Sequence, residues 1–132
     1  MNSRMTYHSG LLHLVYLLVN VDGVIEKSER AAMLAIKEEE NIPEILFRQF
    51  EESIGKRREQ DIYHTAIHLI NQCTEEEKLC AFVHLYRLAQ ADNNIHTKEI
   101  RLLLYGIKVT NLEFEDVEMS ARLAETAAHS RP

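Results

Sequence analysis

The chain has 132 residues, 45% of them apolar, with a formal net charge of −6 and an isoelectric point near 5.6. That length and apolar content suffice for one domain, spanning residues 1–132, that buries its own core without help from a metal or disulfide. The acidic balance argues against nucleic-acid binding, which needs a basic face, and no Lys/Arg block exceeds Lys56 to Arg58.

Two prolines and four glycines leave little punctuation. No stretch alternates apolar and polar residues between hairpin turns, so an all-α domain of about seven helices is expected. The first, roughly 10–21, is apolar around most of its circumference and belongs at the centre of the fold. Arg4 before the apolar run Leu11 to Val19 has the outline of a signal peptide. His13 interrupts that run, no A-x-A site follows it, and it falls short of the ~20 apolar residues a membrane span needs. A cytoplasmic protein without a membrane span is therefore expected.

The second helix, roughly 27–40, is expected to carry Ala31, Met33, Leu34 and Ala35 inward, with the acidic run Glu38 to Glu40 as a solvated face. Pro43 suits the first turn of a third helix whose apolar stripe is Ile45, Leu46, Phe47 and Phe50, and Gly55 ends it. A fourth, roughly 59–72, places Ile62, Ala66, Leu69 and Ile70 on one side. Thr74 and Glu77 form a capping box that opens a fifth helix running to about Ala91. A sixth, roughly 97–109, holds Ile100, Leu103, Leu104 and Ile107, and a seventh, Glu113 to Ala127, holds Phe114, Val117, Ala121 and Ala124. His129 to Pro132 reads as a frayed tail.

One phrase occurs twice. LVYLLVNVDGVIEKSE, from Leu14 to Glu29, overlays HLYRLAQADNNIHTKE, from His84 to Glu99, so that Tyr16 falls on Tyr86, Asp22 on Asp92, Ile25 on Ile95 and Glu29 on Glu99. Each copy reads as an apolar helix ending in Asp, a turn pinned by one Ile, and a second helix with Glu at N3, an internal pseudo-duplication of a helix-turn-helix pair. These acids have structural work available: Glu29 and Glu99 face the partial positive charge of a helix N-terminus, and Asp22 and Asp92 can bond their own turns. Gly23 and Asn93 tolerate left-handed backbone there.

The same geometry has a functional reading. If the two pairs pack about a pseudo-twofold axis, Asp22, Glu29, Asp92 and Glu99 gather at one end of the bundle. Two carboxylates ~4 Å apart repel by about 4 kcal/mol at an effective dielectric near 20, which a cation relieves. Hard oxygen ligands select Ca²⁺ or Mg²⁺ over Zn²⁺, and the spacing is not that of an EF-hand. Capping and cation binding are compatible, and both readings stand.

These residues resemble the TerB-like domains, associated with tellurite resistance and found also at the front of some membrane-anchored J-domain co-chaperones. The core pattern A-D-G-x-[IV]-x-x-x-E is met by VDGVIEKSE, with Val21 for Ala, and by ADNNIHTKE, with Asn93 for Gly; Asn93 and Asn94 leave the second turn less acidic. The resemblance covers most of the chain. It implies an all-α domain, paired acids that bind metal at Asp22, Glu29, Asp92 and Glu99, and a role in stress response with a protein partner near the inner membrane face.

Other chemistry finds less support. His64 and His68, four apart on the fourth helix, match one half of a zinc site, but there is no HExxH and no third ligand nearby. A solvated face is the simpler reading. His13 and His84 are expected as hydrogen-bonded core histidines, and Tyr16 and Tyr86 as core aromatics whose hydroxyls reach polar partners. Cys73 and Cys80 form no CxxC pair and read as buried, inert fillers in a reducing compartment. The segment Gly55 to Asp61 reads as an exposed connection. No nucleophile elbow or phosphate loop is present, so a non-enzymatic module is expected. The alternative is an interaction scaffold whose acidic turns are purely structural; a histidine-dependent hydrolase comes last.

Overall fold

The computed structural model describes residues 3–19, 27–91 and 106–129, with side chains described over 4–19, 30–90 and 106–123. The described elements are all helical: α1 (Ser3–Val19), α2 (Lys27–Glu39), α3 (Glu44–Ile54), α4 (Glu59–Asn71), α5 (Glu75–Ala91) and α6 (Phe114–His129). Residues 106–109 are also helical, at the end of the region where a sixth helix was expected. The chain is a single all-α domain.

Helix α1 is the axis of the fold, packing against α2, α3, α4 and α5. Tyr7, Leu11, Leu12, Leu14, Val15 and Leu18 are all buried, which is why this helix shows almost no polar face. Burying each large apolar side chain is favourable by about 1.5–3 kcal/mol. The helix starts at Ser3, seven residues before the expected start at 10. Gly10 does not mark an end. It lies inside the helix where α4 comes closest, and a Cβ built on it would stand 2.9 Å from Ile70 Cδ1 and 3.2 Å from Leu69 Cβ.

On α2 the inward residues are Met33 and Ile36, with Ala32 and Leu34 packed beside them; Ala31 and Ala35, expected inside, are exposed. In α3, Phe47, Phe50 and Ile54 are buried, but Ile45 is 68% exposed. The apolar stripe was read one position too wide at its start. Pro43 occupies the N-cap position with extended backbone, so its missing N–H costs nothing. Ile62, Ala66 and Ile70 form the buried stripe of α4, with Leu69 partly covered.

Two helix ends close alike. After α2, Asn41 takes φ 55°, and Ile42 N–H donates to Lys37 C=O at 2.9 Å; after residues 106–109, Asn111 takes φ 62°, and Leu112 N–H donates to Ile107 C=O at 3.1 Å. These are Schellman caps, with asparagine tolerating the left-handed position. They lie seventy positions apart, the offset of the doubled phrase. The capping box of α5 forms as expected: Thr74 N–H donates to Glu77 Oε1 at 3.0 Å, and Glu77 N–H donates to Thr74 Oγ1 at 3.1 Å.

Tyr16 is buried and meets Phe50 of α3 edge-on, and Tyr86 meets Phe114 of α6 edge-on while its hydroxyl donates to Glu118 Oε2 at 3.4 Å. Among the described residues, no helix is long and apolar enough to cross a membrane.

Candidate functional site

Asp22, Asp92 and Glu99 lie outside the described residues; Glu29 is the third residue of α2, as expected, but its side chain lies outside them. The helices from which these turns depart are described. The end of α2 sits against the middle of α5, where Glu39 meets His84 and Arg87, while Ala32 and Ala35, nearer its start, line a groove with Leu88. The first half of α2 thus shares a groove with the second half of α5, while the end of α2 meets the middle of α5. At the opposite end, Arg4 at the start of α1 reaches Glu40 after α2, at 3.3 Å, and Glu77 at the start of α5, at 3.9 Å.

That opposite end holds a polar cluster. Glu40 follows the last residue of α2, and its carboxylate Oε1 accepts from His84 Nε2 at 2.8 Å and from Cys80 Sγ at 3.4 Å. Arg4 holds the other carboxylate oxygen, Oε2. Cys80 and His84 stand one turn apart on α5, so both face Glu40. The hydrogen bond from His84 is the main reason that the Glu40 carboxyl falls to about 2, despite burial pulling the other way. Burial of the His84 ring opposes its charge, yet hydrogen bonding with Cys80 and Glu40 and the charge of Glu39 outweigh burial and raise it to about 9. The pair is thus an ion pair near neutrality. The acidic run Glu38 to Glu40 is not one solvated face: the Glu40 side chain is only 10% exposed.

The fully buried Tyr7 points its hydroxyl into the same region. Arg4, Tyr7, Glu40, Glu76, Glu77 and Cys80 line an open cleft of about 300 Å³. Burial, and then Cys80, raise the Tyr7 phenol well above its usual range, so it is a neutral O–H donor. Cys80 is exposed, which corrects the expectation of a buried thiol; Cys73 is half-buried, and burial pushes its thiol up to about 11.

Against this fold, the sequence profile described as tellurite resistance protein TerB matches residues 8–120. The chain belongs to the TerB family. No curated protein and no solved structure matches it.

Elsewhere in this TerB domain, His13 is the hydrogen-bonded core histidine expected. Its Nδ1–H donates to Ser9 C=O at 2.6 Å, and Nε2 accepts from Arg57 at 2.8 Å. Burial first, then the Arg57 charge, push its pKa down against the Ser9 bond, which keeps the ring neutral. Arg57 also donates to Thr65 Oγ1 and to Asp61 C=O. The basic segment between α3 and α4, read as a plain exposed connection, therefore pins that connection to α1. His64 and His68 are exposed on α4, and neither joins a metal-type cluster among the described residues.

His84 was read correctly as a bonded histidine, but its partner was not identified. Glu40 sits 44 positions away. The Cys80–His84 spacing on one helix was the signal in the sequence that pointed to the cluster.

Proposed function

We propose that this TerB-family domain is a non-enzymatic module that binds a divalent cation of the hard class, Ca²⁺ or Mg²⁺, through Asp22, Glu29, Asp92 and Glu99. The observation that carries this reading is that Ala32 and Ala35 of α2, whose first turn holds Glu29, share a groove with Leu88 of α5, which Asp92 follows in the chain. Family membership supports the same assignment. Oxygen-only donors suit hard cations, and carboxylates brought together gain most from one. The biological setting that fits is tellurite or general stress response, in the cytoplasm, with a protein partner near the inner membrane face.

Thermal unfolding of the full chain after chelation, with and without Ca²⁺ or Mg²⁺, tests it. An ion at about a hundred times its dissociation constant adds ~2.7 kcal/mol to stability. The expected result is an upward shift in melting that disappears in the double variant Asp22→Asn, Asp92→Asn. No shift with either ion, or a shift that persists in the double variant, overturns the assignment.

The second reading is an interaction scaffold whose acids only cap helices. It is favoured by Met119 and Leu123, one turn apart on α6 and 64% and 65% exposed. Its discriminator is partner capture that is unchanged by chelator and lost in Met119→Glu, Leu123→Glu.

A further inference from the structure

We propose that Glu40, Cys80 and His84 form a second metal site, selective for zinc, at the end of the bundle opposite the acidic turns. One carboxylate oxygen, one thiol sulfur and one imidazole nitrogen lie within 4.8 Å of one another. Two of the separations are already close to those of a bound ion: Nε2 to Oε1 is 2.8 Å and Sγ to Oε1 is 3.4 Å. A tetrahedral zinc with bonds of about 2.0–2.3 Å holds its ligand atoms roughly 3.3–3.5 Å apart. The cluster needs to open by only a few tenths of an ångström on its tight side to admit the ion. Sulfur and imidazole donors select zinc and related borderline metals and discriminate against Ca²⁺ and Mg²⁺. This donor set is therefore chemically distinct from the oxygen-only set at the turns.

The surroundings are those of a supported site. Arg4 holds Glu40 Oε2 and leaves Oε1 to face the cluster. The Schellman cap at Asn41 sets the backbone from which Glu40 projects. Behind the ring, His84 Nδ1 faces Glu39 Oε2 at 3.9 Å, so a metal on Nε2 leaves Nδ1–H directed at a carboxylate, the arrangement that fixes ring orientation at metal centres.

An independent observation points to a ligand. The Tyr7 side chain is completely buried, and its hydroxyl meets no full hydrogen-bond geometry among the described residues; the side chain it faces in the cleft is Cys80, beside Glu40. A buried hydroxyl left in this state costs about 1–3 kcal/mol. A Cys80 thiolate, or a water filling the fourth position on zinc, accepts that proton and satisfies it. Cys80 is exposed, so the ion has a direct route in. With a thiolate, a carboxylate and a neutral imidazole around a divalent ion, the centre carries no net charge.

The test uses the full chain, stripped with EDTA and titrated with Co²⁺ and then with Zn²⁺. The expected result is one equivalent of cobalt with the visible bands of a tetrahedral centre and a near-ultraviolet thiolate-to-cobalt band, both bleached by one equivalent of zinc. Cys80→Ser, at an exposed position, abolishes the thiolate band and weakens zinc binding by more than about a hundredfold, beyond the ten- to hundredfold typical of losing an outer partner. The pair Asp22→Asn, Asp92→Asn leaves the spectrum unchanged. An octahedral, weakly coloured cobalt spectrum in the wild type, a thiolate band that survives Cys80→Ser, or one that vanishes in His64→Ala overturns the proposal.

Discussion

Glu40 and His84 show how far one contact can move two residues from their ordinary chemistry. The carboxyl is depressed to about 2, chiefly by the His84 hydrogen bond, and the imidazole is raised to about 9, its bonds with Cys80 and Glu40 outweighing burial. A depressed acid stabilises the fold above its unfolded pKa of 4.5, and that contribution disappears as pH falls toward 2. A raised base stabilises it below its unfolded pKa of 6.5, and that contribution disappears as pH rises toward 9. The pair is therefore worth most between about pH 4.5 and 6.5. In the presence of chelator, Glu40→Gln should lower unfolding free energy by about 2 kcal/mol at pH 5.5, the scale of a hydrogen bond to a charged group. The deficit should narrow at pH 3 and at pH 9. Urea denaturation at the three pH values checks this, and a deficit that stays constant across them contradicts it.

Among the elements, the pairing of α1 with α4 shows what periodicity conveys and what it leaves open. The apolar circumference of α1 correctly announced a central helix. It starts at Ser3 and not near residue 10, and inside it the missing Cβ of Gly10 serves the close approach of Ile70 and Leu69. Gly10→Val should cost about 1–3 kcal/mol through overpacking. Combining it with Ile70→Ala should give less than the sum of the single losses, with a coupling above about 0.5 kcal/mol in a double-mutant cycle. Additive losses would mean that the two helices do not meet at this point. Caps were legible where both partners are local in sequence, as with Thr74 and Glu77. The left-handed Asn41 and Asn111 were not singled out, because asparagine is compatible with many conformations and only the five-residue hydrogen bonds across each end identify the cap.

For the whole molecule, α5 carries both ends of the functional proposal. Cys80 lies in its second turn and His84 at its middle, and Asp92 follows its last residue. At about 1.5 Å per residue, His84 and Cys80 lie roughly 10 and 16 Å from the end of that helix. Sites that far apart with no shared side chain should act independently. Stabilisation by zinc and by Ca²⁺ or Mg²⁺ should therefore add to within about 0.5 kcal/mol when both are present, as read by thermal unfolding with each ion and with the two together. A marked excess or shortfall would show that the ions compete for one site or are coupled through the helices.

The sequence by itself determined the helical class, the central place of α1, the capping box of α5 and membership of the TerB family, because each depends on residue type at short, regular spacing. It also set out the doubled acidic turn as a pattern. Only the tertiary structure brought Glu40 to Cys80 and His84 and turned the Tyr7 hydroxyl toward them. It alone carried Arg57 across to His13. Those contacts join residues more than thirty positions apart, so no local period encodes them; they follow from the way α2, α4 and α5 gather around the central α1.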